Sequence, residues 1–423
     1  MAAAGEKTGR PWSAVGVVYA AALLQGLTLI GVPALSNVLQ QRFGLTDTDY
    51  GAVFLPQVAA TVIGALMSGG LAGRVGLRPL LFVSLIANAA CQVLLATPGL
   101  LLPEVAFTLI LAATAALGLA FGLFAAPMNG YPPMLFPRHA PSAILAAHSV
   151  VGAGLALGPL VATGFVEAET WTGYPLLLAG VCGALALLVL GCRLPVHPAL
   201  PAETAHGCAA VVQARRRARH SWTFWLFAVI AVTYAVAEGA FSNWVVIYLT
   251  EARQLSEAGA SLALSLFWVA MVTGRLGVAV LVTRIPPATV WIVLPGLITA
   301  AFLIIPRADA PTASVAAFAF AGLACSGFYP LTIALASAAF PREVAWVSSM
   351  LIAALMIGVG AGTFAIGALR AFVTFDAIYR VSALLPLVLV VLALPLVRRP
   401  SAFNRAAVPA VVTAEPPHPE RTR

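Results

Sequence analysis

The chain has 423 residues, of which 61% are hydrophobic and only 9% charged, with a formal net charge of +8 and a mean hydropathy of +0.98. Soluble domains hold about 45–50% apolar and about 25% charged residues, so this composition excludes a water-soluble globular protein and indicates an integral membrane protein. Apolar runs of membrane-crossing length recur along nearly the whole chain, which selects helices over a barrel.

Lys7 and Arg10 precede the first apolar run. That run, from Ser13 to Leu39, is too long for a signal-peptide core and reads as a first transmembrane helix that stays in place. Twelve spans are predicted at about 20 residues or more each. The first half holds 12–39, 51–73, 79–98, 104–135, 142–166 and 174–194. The second holds 222–250, 257–283, 286–306, 311–340, 343–369 and 376–397. The expected class is an all-α integral membrane protein of two six-helix bundles, 12–194 and 222–398. Residues 1–11 form a short N-terminus, 195–221 a basic linker ending in Arg215-Arg-Arg-Ala-Arg219-His220, and 399–423 a tail without apolar periodicity, expected to be disordered.

Lys and Arg in the connections set the orientation. One side collects Lys7, Arg10, Arg74, Arg78, Arg138, Arg193, the linker arginines, Arg284, Arg342, Arg398 and Arg399. The other holds Arg42, Arg253, Arg307 and Arg370 among the acids Asp47, Asp49, Glu104, Glu167, Glu169, Glu251, Glu257, Asp309 and Asp376. Both termini and the linker are therefore expected in the cytoplasm, in a cell inner membrane. The basic linker reads as an orientation determinant or a contact with anionic lipid, not a nucleic-acid site.

The two halves repeat. Gly118-Leu-Ala, Phe136-Pro137-Arg138, Gly154 and Gly158 recur as Gly322-Leu-Ala, Phe340-Pro341-Arg342, Gly358 and Gly362, every pair offset by 204 residues. Parallel repeats about an axis along the membrane normal are a transporter plan, with the site at mid-depth between the halves.

Between the second and third spans the chain reads Gly69-Gly-Leu-Ala-Gly73-Arg74-Val-Gly76-Leu-Arg78. This resembles the signature loop of the major facilitator superfamily, with Gly73 where that family carries an acid. The resemblance implies a gate latch, assigned to Gly69, Arg74, Gly76 and Arg78, working by alternating access. Pro127-Met-Asn129, His148-x3-Gly152-x-Gly154-x3-Gly158-Pro159, Ala237-Glu238-Gly-Ala-x-Ser-Asn-Trp244-x3-Tyr248 and Trp268-x5-Gly274-Arg275 are similar to the fucose-permease-like branch. That branch implies a proton-coupled symporter for sugars or other small polar solutes. Its carboxylates in the first and fourth helices are absent here, where Gln25 and the neighbourhood of Asn129 stand instead.

Glu238 lies near the middle of the seventh apolar run. A carboxylate there costs about 2.5–3.5 kcal/mol on insertion scales, so it faces a protein interior or a wet cavity. At helical spacing Tyr234, Glu238, Phe241 and Tyr248 share an arc, with Trp244 on its edge and Asn243 opposite. Glu238 is the expected proton-coupling acid. A hydrogen bond between helices is its structural alternative.

Because the superfamily lines its cavity with helices 1, 4, 7 and 10, the resemblance assigns substrate contact to Gln25, Asn129, Tyr131, Tyr234, Asn243, Trp244, Tyr248, Phe328 and Tyr329. Their amides, hydroxyls and ring faces suit a polar solute. Arg275 is assigned to the gate, and His148 to a proton relay or a helix–helix hydrogen bond. Gly154-x3-Gly158-Pro159 partly matches the motif of proton-linked exporters, which keeps export of hydrophobic or cationic compounds open. No phosphate-cradling glycine loop ends in Lys-Ser/Thr, no His/Cys cluster suits a metal, and no enzyme chemistry is expected. The expected partners are a small-molecule substrate, protons and membrane lipids; no cofactor is expected, and the protein is expected to be a monomer.

Overall fold

The computed structural model describes residues 11–101, 103–194, 220–341 and 343–398. The predicted linker, tail and extreme N-terminus lie outside the described residues. Twelve helices long and apolar enough to cross a membrane stand among those described. They are α1 Trp12–Leu29, α2 Asp47–Val75, α3 Leu77–Leu100, α4 Ala106–Leu135, α5 Ser142–Glu167, α6 Gly173–Gly191, α7 Trp222–Ser242, α8 Glu257–Leu281, α9 Pro287–Arg307, α10 Pro311–Ala339, α11 Trp346–Arg370 and α12 Phe375–Val397. Large apolar side chains such as Leu187, Leu188, Val280 and Val391 are exposed on their outer faces, as a lipid-facing surface requires.

Helix starts are set by local chemistry. Thr46 caps α2 in a capping box with Asp49, and Ser256 and Thr374 cap α8 and α12 through their side-chain oxygens. Pro287 and Pro311 open α9 and α10, where a missing backbone N–H costs nothing.

Five predicted spans are not continuous helices. The run 12–39 turns at Ile30 and Leu35, the run 51–73 at Val53, the run 222–250 at Asn243–Trp244, the run 311–340 at Ser326–Gly327 and the run 376–397 at Ala383. Hydropathy cannot register such breaks, because the residues at them remain apolar or buried.

The packing of the first six helices is repeated by the second six. α1 packs on α5 as α7 packs on α11; α2 packs on α4 as α8 packs on α10; α3 packs on α6 as α9 packs on α12. The paired glycines hold this pattern. A β-carbon at Gly118 would overlap the backbone carbonyl of Gln57 on α2, and one at Gly322 would overlap that of Phe267 on α8. Gly154 meets the Leu23 carbonyl of α1, and Gly358 the Val232 carbonyl of α7. Small residues at these seams let backbones touch, which drives helix association where lipid offers no hydrophobic gain. The chain also leaves α4 and α10 through the same backbone corner: Phe136 has φ −130° and ψ 65°, Phe340 φ −128° and ψ 63°. Arg342, the last member of the repeat, lies outside the described residues.

The halves meet along two lines, α5 against α8 and α2 against α11. At the end of the molecule that carries Arg370, polar groups tie them together. Arg370 pairs with Asp47 of α2 at 3.0 Å and with Glu251 at 2.9 Å. Asn37 donates to Thr250 at 2.9 Å and to Glu257 at 2.7 Å, and the Tyr50 hydroxyl donates to the Asn243 carbonyl at 2.8 Å. Thr48 reaches the Gly367 carbonyl at 3.3 Å. This end is closed. The Arg253 guanidinium is likewise spent on Asp376 at 3.0 Å and on the Pro306 and Ala308 carbonyls, so two of the four cations on this acid-rich side are neutralised locally.

Burial, followed by the nearby charge of Asp47, holds the Glu251 carboxyl above the usual carboxylate range, with Arg370 partly offsetting both. The closed end therefore binds a proton at Glu251 more tightly than an opened, hydrated end would, and acidification favours closure. Arg370→Ala removes both ion pairs and leaves two acids facing each other. Its expected result is a shift toward separation at this end, read as a longer distance between spin labels at Gln41 and Ala252. An unchanged distance distribution would show that the apolar seams alone keep this end shut.

Candidate functional site

α7 carries Glu238 about one turn before its end at Ser242 and one turn beyond Tyr234, so both side chains leave the same face. The Tyr234 hydroxyl donates to the Cys325 carbonyl at 2.8 Å, where α10 breaks at Ser326–Gly327. Glu238 lies close enough to Tyr234 to engage its hydroxyl, and close enough to Arg275 of α8 to feel its charge. Tyr329, just past the break in α10, stacks on Tyr234 with centroids 6.2 Å apart and planes 9° apart. Its hydroxyl is buried without a hydrogen-bond partner.

Arg275 is the cationic side of the site. Its Nη2 contacts the Met271 thioether at 3.2 Å, a weak acceptor, while its Nε is buried with no partner. No ion pair within 4.0 Å joins it to Glu238 among the described residues. Two turns away on the same face of α8, the Trp268 indole Nε1 is also without an acceptor.

The first half contributes His148 and Asn129. The His148 ring Nε2 lies 3.3 Å from the Asn129 Oδ1, and both side chains are exposed although each sits within a span. One turn beyond His148, a β-carbon at Gly152 would press on Val272 of α8, three residues from Arg275. The His148 face of α5 thus looks toward α8, and His148 feels the Arg275 charge. The residues brought together are Asn129 and His148 from one half, with Tyr234, Glu238, Arg275 and Tyr329 from the other.

The other expected contacts are placed elsewhere. Gln25 is buried inside the first bundle, where its Oε1 accepts from Asn88 Nδ2 at 3.0 Å and its Nε2 has no partner among the described residues. Tyr131 is buried near the charge of Arg78, at the end opposite Arg370. Phe328 is buried between Tyr234 and Trp291. The break at Asn243–Trp244 ends the arc drawn through Tyr248. Tyr248 instead hydrogen-bonds Asp376 at 2.9 Å, and Trp244 packs edge-on to Tyr50 at 5.0 Å. Asn243 donates to Thr363 at 2.9 Å. Phe241, on the same arc, packs on Phe302 at 4.2 Å inside the second bundle.

Trp268, on the Arg275 face of α8, and Asn88, which holds Gln25 in the first bundle away from the site, were not read from the sequence as site residues. Trp268 sits seven residues before Arg275, a spacing that puts both on one helical face and that carried the signal. Asn88 had no sequence signal beyond being an amide inside a span, where polar groups seek partners.

The loop between α2 and α3 stands open. Nothing lies within 4 Å of a β-carbon placed at Gly69, Gly70 or Gly73, and Gly76 turns the chain at φ +81°, where a side chain would strain the backbone. Arg78 donates from Nε to the Val189 carbonyl at 2.9 Å and from Nη2 to that of Leu190, fastening α3 to the end of α6. Arg74 is exposed, with no ion pair among the described residues. Arg74→Ala is expected to slow turnover several-fold and leave equilibrium affinity within about twofold, because Arg74 lies at this open end and away from the site. Binding and flux measured on one preparation check the split; a large loss of affinity with unchanged turnover contradicts it.

A family model described as Major Facilitator Superfamily matches residues 18–315. Among solved structures, the chain is similar to a bacterial homologue of the human lysosomal transporter Spinster, determined inward-facing and unoccupied. The identity is 16% over 95% of this chain and 98% of that one, with a TM-score of 0.68. It is similar to a D-xylose–proton symporter at 15% identity over 90% of this chain and 96% of that one, TM-score 0.73. It also matches the nucleoside transporter NupG in a mutant form, at 14% identity, 90% and 98% coverage, and a TM-score of 0.71. No curated protein sequence matches.

Proposed function

As the chain belongs to the major facilitator superfamily, and is therefore a multi-pass membrane transporter and not an enzyme, we propose that it is a proton-coupled symporter for a small polar solute. It works by alternating access of the two six-helix halves, in an inner membrane with both ends cytoplasmic, and Glu238 is the coupling acid. The observation that carries this reading is the placement of Glu238: a carboxylate inside the seventh span, beside Tyr234 and Tyr329 and within reach of the Arg275 charge, yet in no ion pair among the described residues. An acid so placed can change charge without breaking a salt bridge, and a solute bound beside it senses that change. His148 and Asn129 supply the contact from the other half.

The closed Arg370 end and the open loop at Arg74 correspond to a site reached from the basic side. The neighbours that transport a sugar with a proton or a nucleoside support a polar cargo by likeness of fold. Proteoliposomes with an internal pH dye, challenged with neutral sugars and with lipophilic cations, test the reading. Acidification of the lumen as solute enters supports symport; protons leaving against an entering cation overturn it.

The exporter alternative stays open on the partial Gly154-x3-Gly158-Pro159 motif. An apolar groove of about 550 Å³ lies between α7 and α11, lined by Phe224, Val229, Trp346, Met350 and Ile357 among others. It opens on the outer face, where Trp225, Val229 and Ile357 are exposed, so lipid would cover it. Proton counterflow with lipophilic cations is the result that would promote the exporter alternative.

A further inference from the structure

We propose that the solute carried at this site is a small organic anion, whose carboxylate binds Arg275 when Glu238 is protonated. The inference rests on the proton-coupled reading above and names its substrate class.

The hydrogen-bonding inventory leads there. Three buried polar groups around the site lack partners among the described residues: Arg275 Nε and the Trp268 indole N–H, which can only donate, and the Tyr329 hydroxyl, which can donate or accept. The Asn129 amide nitrogen gives one of its two N–H groups to the Ala125 carbonyl at 2.8 Å, leaving one more donor. Arg275 Nη2 has only a thioether. A guanidinium is a planar fork of five donors with no accepting atom, and its preferred mate is a carboxylate held by two parallel bonds. An uncharged sugar offers hydroxyls that are part donor, and it leaves the cation inside α8 uncompensated. A solute carboxylate supplies acceptors and charge together.

Glu238 and Arg275 make the coupling. Around Glu238 stand Tyr234 on its own helix, Arg275 from α8, and Cys325 and Tyr329 from α10; around Arg275 stand Glu238, Tyr234 and, from α5, His148. Arg275 is the one permanent cation in this set. With Glu238 ionised, its charge compensates Arg275 through space and repels a second anion. When Glu238 takes a proton on oxygen, Arg275 loses that compensation and accepts the solute anion in its place. Release on the far side returns both, so one proton crosses with one monoanion and no net charge moves. His148 lies across the gap on the other half, where its ring N–H can donate to the same carboxylate as the halves rock.

The test uses solute pairs that differ by a single carboxylate in place of CH2OH: lactate and propane-1,2-diol, gluconate and sorbitol, glucuronate and glucose. Binding is followed by the fluorescence of the purified protein, and uptake by tracer and internal pH dye in proteoliposomes. At least one anion should bind at least tenfold tighter than its neutral twin, more tightly at lower pH, with proton entry. Arg275→Gln should remove the preference and Arg275→Lys keep part of it. Glu238→Gln, which holds the position uncharged, should bind the anion with little dependence on pH, and this checks the idea without touching Arg275. Neutral members binding or moving protons while the anions do neither would overturn the anion assignment and leave proton coupling standing. Anion uptake without proton movement would keep the anion assignment and overturn the coupling. No discrimination within any pair, or no binding at all, would overturn the inference.

Discussion

Glu238→Gln is expected to abolish concentrative uptake while exchange of solute across the membrane continues. The amide preserves size and hydrogen bonding to Tyr234 but holds no titratable proton, so the solute step is uncoupled from the gradient. A gradient of one pH unit is worth about 1.4 kcal/mol, or about tenfold in accumulation, so the internal-to-external ratio should fall from that ceiling to unity. Glu238→Asp should retain part of the coupling. Counterflow of labelled solute in the same vesicles separates loss of coupling from loss of folding. Accumulation by the glutamine variant equal to wild type would remove Glu238 from the mechanism.

The largest structural effect is expected at Gly322. A single methyl there overlaps the backbone carbonyl of Phe267, which has no rotamer to escape into. Overpacking a side chain costs about 1–3 kcal/mol, and a backbone obstacle belongs at the top of that range or beyond it. Gly322→Ala should therefore lower the melting temperature in detergent by several degrees and reduce expression. Gly118→Ala should do the same through Gln57. Gly277→Ala is the control: nothing lies within 4 Å of its β-carbon, and alanine favours the helix, so it should be neutral or slightly stabilising. Equal melting for all three would mean that the close seams relax at no cost.

These predictions also mark what the sequence made legible. The spans were readable because twenty apolar residues admit little other than a helix, and the duplication because glycines recur at one offset. Both signals are properties of the scaffold, and Gly118, Gly322, Gly154 and Gly358 do the same work in the two halves. The site was legible in part. Glu238 stood out through its cost in lipid, and Asn129, His148, Tyr234 and Tyr329 gather near it or face it. Gln25 did not: its Oε1 is held by Asn88 within the first bundle, while its Nε2 stays buried without a partner among the described residues. Trp244 and Tyr248 were misplaced because helical spacing holds only as far as the helix does, and Asn243–Trp244 interrupts it. Arg275 was read as part of the gate; only the coordinates show its Nε without an acceptor.

The two kinds of helix contact divide the molecule into what is welded and what can slide. Within a half, carbonyl oxygens seat against glycine α-carbons at Gly118, Gly154, Gly322 and Gly358. Such seams have no side chains to rearrange and must travel as one body. Between the halves, Gly152 meets the methyls of Val272 and Gly360 those of Val58, a smooth glycine patch against a short branched side chain with few rotamers to cross. At the Arg370 end, by contrast, Gly367 seats on the Asp47 carbonyl and Gly51 on that of Thr363, seams that must part when this end opens. Friction in the rocking stroke should concentrate at Gly152 and Gly360. Bulkier residues at Gly152 or Gly360 would then lengthen the time per stroke before they alter where either half comes to rest.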